Sequence, residues 1–328
     1  MALVRAGNRA VMVGAALAFC HARGEAEKAC MSTAPFQRKG RFWRGNLHTH
    51  STRSDGRLPP EAVADFYKGA GYDFLALTDH FWEHCGYPIT DTRPLRTKSF
   101  TTLIGAEIHA PLTAKGHDWH IVALGLPFDY APPGEGETMQ SMCRRAAAAG
   151  AFIGVAHPQW YGLTVEDALS IPEAHAVEIY NHGCAVESGR GDGWVVHDEA
   201  LARGARLGAY AADDAHFGTP DAGGGWVMVK AEALEPEPLL EALKRGDYYS
   251  SQGPEIHDIA VSGEEAVVAC SPASWVVAVG AGVGTRCAHG QDLTRATLPL
   301  DCFGEDGYFR ITVTDDKGRQ AWSNPIWR

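Results

Sequence analysis

The sequence predicts an α/β domain followed by a small all-β module. Short apolar runs alternate with helix-like stretches from Gly40 to about Gly253. Beyond Pro254 the texture turns β-rich, and no helix-period segment is visible. Of 328 residues, 45% are hydrophobic and 21% charged, which supports packed cores and excludes a disordered chain. That length suits one barrel or two domains.

The first candidate strand, Phe42–His48, follows a polar lead. Pro59-Pro60-Glu61 then opens an amphipathic helix with Ala62, Val63, Phe66 and Tyr67 on one face and Gly71 as its stop. Apolar runs predict strands at Phe74–Leu77, Thr102–Glu107 and His120–Leu124. The last of these opens on its histidine, so it reads as the return arm of a hairpin with 102–109. A helix from Met139 to Ala149, closed by Gly150, leads to strands Phe152–Ala156 and Ala176–Tyr180. A third helix, Val195 to Arg203, is closed by Gly204 and followed by strands Arg206–Ala211 and Gly225–Val229. Such alternation indicates a barrel or a doubly wound sheet. Ile256–Val261, Glu265–Ala269, Trp275–Val279, Thr294–Leu298 and Phe309–Val313, separated by Gly, Asp and Asn turns, predict an antiparallel β-sandwich of immunoglobulin-like size. The predicted organisation is an N-terminal extension at 1–40, an α/β domain at 41–253 and an all-β domain at 254–328.

Lys and Arg number 29 against 40 Asp and Glu, a net charge of −11, and the basic residues are not gathered. Neither a nucleic-acid binder nor a membrane-surface binder is expected from that pattern. No apolar run approaches the ~20 residues of a membrane helix. The eight cysteines lie far apart with no CxxC pair, which disfavours a zinc ribbon or a disulfide framework and fits a reducing, cytoplasmic setting. Residues 1–30 hold the alternative. Arg5 and Arg9 precede an Ala10–Phe19 run that resembles a short signal segment, which would mean export. Phe19-Cys20-His21-Ala22 is a poor cleavage site, and Met31 would serve as a start if these residues were mis-called.

Histidine stands out, at 15 residues. His48-Thr49-His50 ends the first strand, where the two-residue period puts both imidazoles on one side. Asp55, in Ser54-Asp55-Gly56, lies on the following loop. Thr78-Asp79-His80 ends the next apolar run, where barrel sites are assembled. Glu107 closes another run, and His109 beside it reads as a bystander, as does His84. His120 opens its run, His157 in Ala156-His157-Pro158 ends one, and Asp214 with His216 repeats the two-apart geometry. Singly, each has an ordinary reading as a cap, a core imidazole or a solvated carboxylate. Together, nine N/O ligands from six segments exceed the need of one ion and match two or three, with no cysteine among them.

The ordered set HxHxxxxD, TDH, GxE, a His before IVALG, AHP and DxH resembles the polymerase-and-histidinol-phosphatase (PHP) family over residues 42–253. That resemblance implies a distorted seven-stranded β/α barrel of TIM-like form, a two- or three-metal centre and hydrolysis of phosphoesters by a metal-bridged hydroxide. It implies one ion on His48, His50, Glu107 and Asp214, and a second on Glu107, His120 and His157. Asp55, His80 and His216 would hold a third. Asp55 stands where some members carry His, which favours Mn²⁺ or Fe²⁺ over Zn²⁺. The segment 254–328 resembles a β-module appended to some bacterial members. Asp79 is expected to fix an imidazole tautomer, and His182 or His197 to protonate the leaving group. Asn181, Arg57, Trp160 and Lys230 are candidates for the pocket wall.

The expected substrate is a small-molecule phosphoester. Related barrels hydrolyse carbamates and other esters, so a carbamate or carboxyl-ester hydrolase with the same metals is the alternative. A decayed metal-binding interaction module is disfavoured because no ligand is missing. A polymerase-associated exonuclease is disfavoured by the net charge of −11.

Overall fold

The computed structural model describes residues 35–305 and 307–328, so residues 1–30, with their signal-like run, lie outside the described residues. The fold is mixed α/β, built on one 16-stranded sheet with parallel and antiparallel pairs. Its first ten strands are β1 (Arg41–Asn46), β2 (Phe74–Leu77), β3 (His80–Phe81), β4 (Thr101–Ile108), β5 (Ile121–Leu124), β6 (Phe152–Val155), β7 (Ala176–Asn181), β8 (Gly208–Ala212), β9 (Trp226–Ala231) and β10 (Tyr248–Ser251). The remaining six are β11 (Ile256–Ser262), β12 (Glu265–Gly280), β13 (Thr285–Pro299), β14 (Tyr308–Thr314), β15 (Gln320–Ser323) and β16 (Ile326–Trp327).

β2, β5 and β6 are continuous apolar runs and are buried along their whole length. Such runs suit strands covered on both faces. One buried cluster joins Phe74, Leu103, Val122, Phe152, Tyr210 and Val229, one residue from each of six strands. β2 and β8 are far apart in the ladder order, so side chains from both meet only because the sheet curls. On the outer face, Ile108, Ile121 and Val155 pack against Met142 and Cys143 of helix Met139–Ala148 and Ala200 of helix Trp194–Ala202. In helix Pro60–Gly69 the buried face is Val63, Ala64 and Tyr67, whereas Phe66, expected there, is 39% exposed.

β1, β2 and β4 pair in parallel, β5 runs antiparallel to both β4 and β6, and β6, β7 and β8 are parallel again. The hairpin of β4 with β5 expected from the sequence is present, with Ile108 opposite Ile121. No strand ladder joins β8 to β1. The two are stitched by a bridge from Thr49 to Ala215 and by Asp214 N–H donating to His48 C=O at 2.9 Å. Elsewhere on this edge, side chains replace a neighbouring strand. Ser250 Oγ donates to Ala209 C=O and accepts from Ala211 N–H, and Asn324 Oδ1 accepts from Ala209 N–H at 2.7 Å.

Residues 254–328 have their own apolar cluster, including Ile259, Val268, Val276, Leu298 and Val313. Their strands are not a separate sheet: β10 pairs with β15, so the ladder runs unbroken across the expected boundary. Of the extension 1–40, Phe36 packs on Phe42 and Tyr249, which ties it to the same cluster. Among the described residues, no helix is long and apolar enough to cross a membrane.

Candidate metal centre

The pairing pattern explains why six sequence segments meet. His48 and His50 follow β1, His80 follows β2, His157 follows β6, and Asp214 and His216 follow β8, all at the C-terminal ends of strands sharing one direction. Glu107 lies near the C-terminal end of β4, with His80 as its partner across the β3–β4 pair. β5 runs the other way, so its N-terminal end, at His120, reaches the same rim. Gly56 lets the Asp55 loop fold onto this rim, since a Cβ there would lie 2.6 Å from the His50 backbone.

Glu107, fully buried, is the hub. Its Oε1 lies 2.8 Å from His120 Nδ1 and 3.2 Å from His157 Nε2, and its Oε2 lies 2.6 Å from His80 Nδ1. His48 Nε2 and His50 Nε2 are each 3.6 Å from Oε2. Asp214 Oδ1 sits 2.9 Å from His50 Nε2 and 3.2 Å from His48 Nε2. On the solvent side, Asp55 reaches His216 Nε2 at 3.3 Å and His80 Nε2 at 3.5 Å. Thus all nine sequence-derived candidates fall in one contiguous cluster.

The donor atoms fit cations. Four sets have ligand atoms within 4.8 Å of one another: His50, Asp55, His80 and His216; His80, Glu107, His109 and His120; His48, His50 and Glu107; and His48, His157 and Asp214. His48 Nε2, both nitrogens of His50, Glu107 Oε2 and Asp214 Oδ1 are buried and lack a hydrogen-bond partner despite these short separations. Of these, His48 Nε2 and His50 Nε2 both face Glu107 Oε2 and Asp214 Oδ1 at 2.9–3.6 Å without hydrogen-bond alignment, as ligands of one ion would. Ligands on a first-row ion with bonds of about 2.1 Å lie about 3.0–3.4 Å apart, and the separations of 2.6–3.6 Å here bracket that spacing.

The electrostatics match. Burial drives the Glu107 carboxyl up, but His80, His120, His48 and His109 outweigh it and hold it well below the usual range. Asp214 is likewise held low against burial, by His48 and His50. Burial pulls His80 down, yet Glu107 and Asp55 push it up to about 10, and Asp55 with Asp214 similarly takes His216 to about 9. His50 goes the other way, to about 3, through burial and the neighbouring His80 and His216. A divalent ion replaces such imidazole protons, so loading releases protons and weakens in acid.

Two strained residues hold the rim. His157 (φ 23°) and Asp214 (φ 55°) are left-handed non-glycine positions, a conformation costing about 1–3 kcal/mol. Glu178 Oε2 accepts from His157 N–H at 2.7 Å and from Asn181 Nδ2 at 2.9 Å, and Asn181 also donates to Asp214 Oδ2.

One structure solved for another protein shares this architecture. A two-domain protein from Bacteroides vulgatus, containing a predicted PHP-like metal-dependent phosphoesterase, superposes with a TM-score of 0.51 at 16% identity, over 86% of this chain and 95% of its own. The fold is PHP-like. A candidate metal-dependent phosphoesterase from Bifidobacterium adolescentis gives a TM-score of 0.42 at 16% identity, over 62% of this chain and 96% of its own. An amidohydrolase from Chromobacterium violaceum, with bound sulfate and no metal, gives 0.39 at 17% identity, over 52% and 87%. No protein-family model matches the sequence, and no curated protein does.

On this PHP-like frame, other expectations change. Asp79 meets no imidazole among the described residues. It accepts from Ser51 N–H at 2.7 Å and from the hydroxyls of Ser51, Ser54 and Thr90, and so pins the loop carrying Asp55. The contact expected of Asp79 belongs instead to Glu178, whose Oε1 lies 3.1 Å from His48 Nδ1. Glu178 was missed because it sits mid-strand with no motif around it; a lone carboxylate in Ala-Val-Glu-Ile-Tyr was the available signal. His182 Nδ1 contacts Tyr180 OH at 2.9 Å, outside the four ligand sets. His197 is on the buried face of helix Trp194–Ala202, against Leu207 C=O, and Lys230 lies over Phe42. Arg57 N–H donates to His216 C=O, and Trp160 turns an edge toward His120 and His157. His109 is no bystander: its Nε2 lies 2.9 Å from His80 Nδ1.

Proposed function

We propose that this chain is a metal-dependent hydrolase that cleaves phosphoester bonds of a small molecule, with two to three divalent ions (Mn²⁺, Fe²⁺ or Zn²⁺) at the rim. The observation that carries the reading is the convergence of buried, unpartnered ligand atoms of His48, His50, Glu107 and Asp214. His48, His50, Glu107 and Asp214 would hold one ion, and His120 and His157 a second shared with Glu107. Asp55, His80 and His216 would hold a third. Bound ions lower the pKa of water and neutralise phosphoryl charge.

The chain's own residues bind and orient the substrate. A cavity of about 620 Å³ opens beside His120, with Trp160 and Tyr161 as one wall and Lys115 and Arg190 at its edge. Two cations there favour an anionic substrate in a chain of net charge −11. Its size suits a small molecule. The curled strands within 41–253 are read as a β/α barrel with PHP connectivity and 254–328 as an appended β-sandwich-like module. Six described cysteines are free, which supports the cytoplasmic reading.

The test is protein purified anaerobically without chelator, with elemental analysis and assays of aryl phosphate mono- and diesters against aryl carboxyl esters. Two to three ions per chain, and phosphoester turnover abolished by chelator and restored by Mn²⁺, are expected. Fewer than one ion per chain overturns the metal reading. Turnover of carboxyl esters alone overturns phosphoester specificity.

A further inference from the structure

His109 is the residue of the cluster whose chemistry the three-ion reading leaves unused. Its Nδ1 lies 2.9 Å from the Trp119 carbonyl oxygen. A carbonyl only accepts, so this nitrogen carries the proton. Its Nε2 is then a lone pair, aimed at His80 Nδ1 at 2.9 Å. That contact is a hydrogen bond only if His80 Nδ1 donates.

His80 faces two ligand sets, through Nε2 toward Asp55 and through Nδ1 toward Glu107 and His109. A neutral imidazole has one lone pair, so it serves one of them. With the proton on Nδ1, the lone pair is on Nε2, toward Asp55 and His216. Glu107 Oε2 also lies 2.6 Å from Nδ1, but it is not aligned for a hydrogen bond with it, and it is within 3.6 Å of His48 and His50, with which it would share a cation. His109 shares a ligand set with His80, Glu107 and His120, but none of the three ions assigned above uses it. Trp82 stacks on His80 at 3.9 Å between centroids and lies 4.6 Å from His109, holding both rings in place.

We infer that His109 is a positioning residue: it accepts the His80 Nδ1 proton, so that His80 presents Nε2 to the third cation, and it is not itself a cation ligand. The Trp119 carbonyl, His109 and His80 form a relay of hydrogen bonds ending at that cation. This rests on the metal reading above and adds to it a residue and a tautomer.

The experiment uses the full chain titrated with Zn²⁺, with ions per chain counted for wild type, His109→Leu and His109→Gln. His109→Leu is expected to weaken the least tightly held ion about 10–100-fold and keep the others, as loss of an outer hydrogen bond does. His109→Gln, whose amide oxygen can stand at the Nε2 position as an acceptor but is a poor zinc ligand, is expected to recover most of that affinity. Equal losses in both variants would make His109 a ligand and overturn the inference. Wild-type affinity in His109→Leu overturns it too. In case both variants unfold, zinc-loaded wild type labelled with ¹⁵N-histidine gives an independent reading. A nitrogen–nitrogen coupling across the His80–His109 hydrogen bond supports the inference, and a resolved His80 signal lacking it overturns it. A wild type that binds no zinc overturns both this and the metal reading, whereas a loaded wild type with unaffected variants overturns this one alone.

Discussion

Replacing Glu178 by glutamine should weaken cation binding without touching any proposed ligand. With a cation on Nε2, His48 must carry its proton on Nδ1, where Glu178 Oε1 lies at 3.1 Å. Glu178 Oε2 at the same time receives the His157 N–H at 2.7 Å and the Asn181 amide at 2.9 Å. All of these groups are fully buried or nearly so. Glutamine keeps one acceptor oxygen and turns the other into a donor, so at least one of the three donors faces N–H instead of oxygen. Loss of such an outer carboxylate weakens metal binding about 10–100-fold, or about 1.4–2.7 kcal/mol. Glu178→Ala should cost folding stability as well, about 1–3 kcal/mol for each buried donor left unpaired. Competition against a chromophoric chelator measures the first effect, and urea unfolding with and without metal measures the second. Wild-type cation affinity in Glu178→Gln, with stability unchanged in Glu178→Ala, would refute the assignment of Glu178 as the group that orients His48.

Glu107→Gln should release ions from more than one position and cost orders of magnitude in phosphoester turnover. Asp55→Ala should keep roughly two ions and be partly rescued by excess Mn²⁺; metal counting on both variants separates these outcomes. Asn324→Ala should destabilise the fold by about 1–3 kcal/mol in urea, because Ala209 N–H and the Tyr248 carbonyl lose the Asn324 amide, while the Gly246 carbonyl keeps the Tyr248 N–H. Asp198 receives two hydrogen bonds from Arg310 at 2.9 and 3.1 Å, and contacts with His197 and Arg310 lower it to about 2 against its burial. Its folded pKa is below the unfolded value near 3.9, so its stabilisation is complete above about pH 4 and lost as pH falls through about 2. Asp198→Asn should therefore lose about 1 kcal/mol at pH 7, a partly exposed pair being worth no more, and the gap to wild type should close between pH 4 and 2 in urea titrations.

Much of the site was legible because strand geometry is periodic. His48 with His50, and Asp214 with His216, announce one face of one strand end, and apolar runs give the ends themselves. The same period-two rule applied to Glu107 and His109 would have shown that they share a face. His109 looked idle only because its partner, His80, lies 29 residues away. Glu178 was illegible for a different reason: nothing within its strand distinguishes a carboxylate that serves a distant imidazole from one facing water. In the β module, Glu265–Ala269 and Trp275–Val279 were read as two strands on either side of Pro272. They form one strand whose pairing slips on either side of Ala273, a proline-tolerant irregularity that keeps the strand going. Helix Pro236–Arg245 carried its signals openly, Pro at the start, buried Leu239, Ala242 and Leu243, and Gly246 beyond, yet was not picked out.

The side-chain stitching of β8 also bears on how the molecule is made. Asn324, which caps the β8 edge at Ala209, is 115 residues downstream of it. During synthesis every ligand segment has left the ribosome long before that amide does. The nascent chain therefore carries its full set of imidazoles and carboxylates on a sheet whose last edge is unprotected, and metal capture and edge protection become competing events in time. A ribosome-stalled chain ending before β15 should expose the β10 edge and leave Ala209 N–H of β8 uncapped, open to a strand-seeking neighbour.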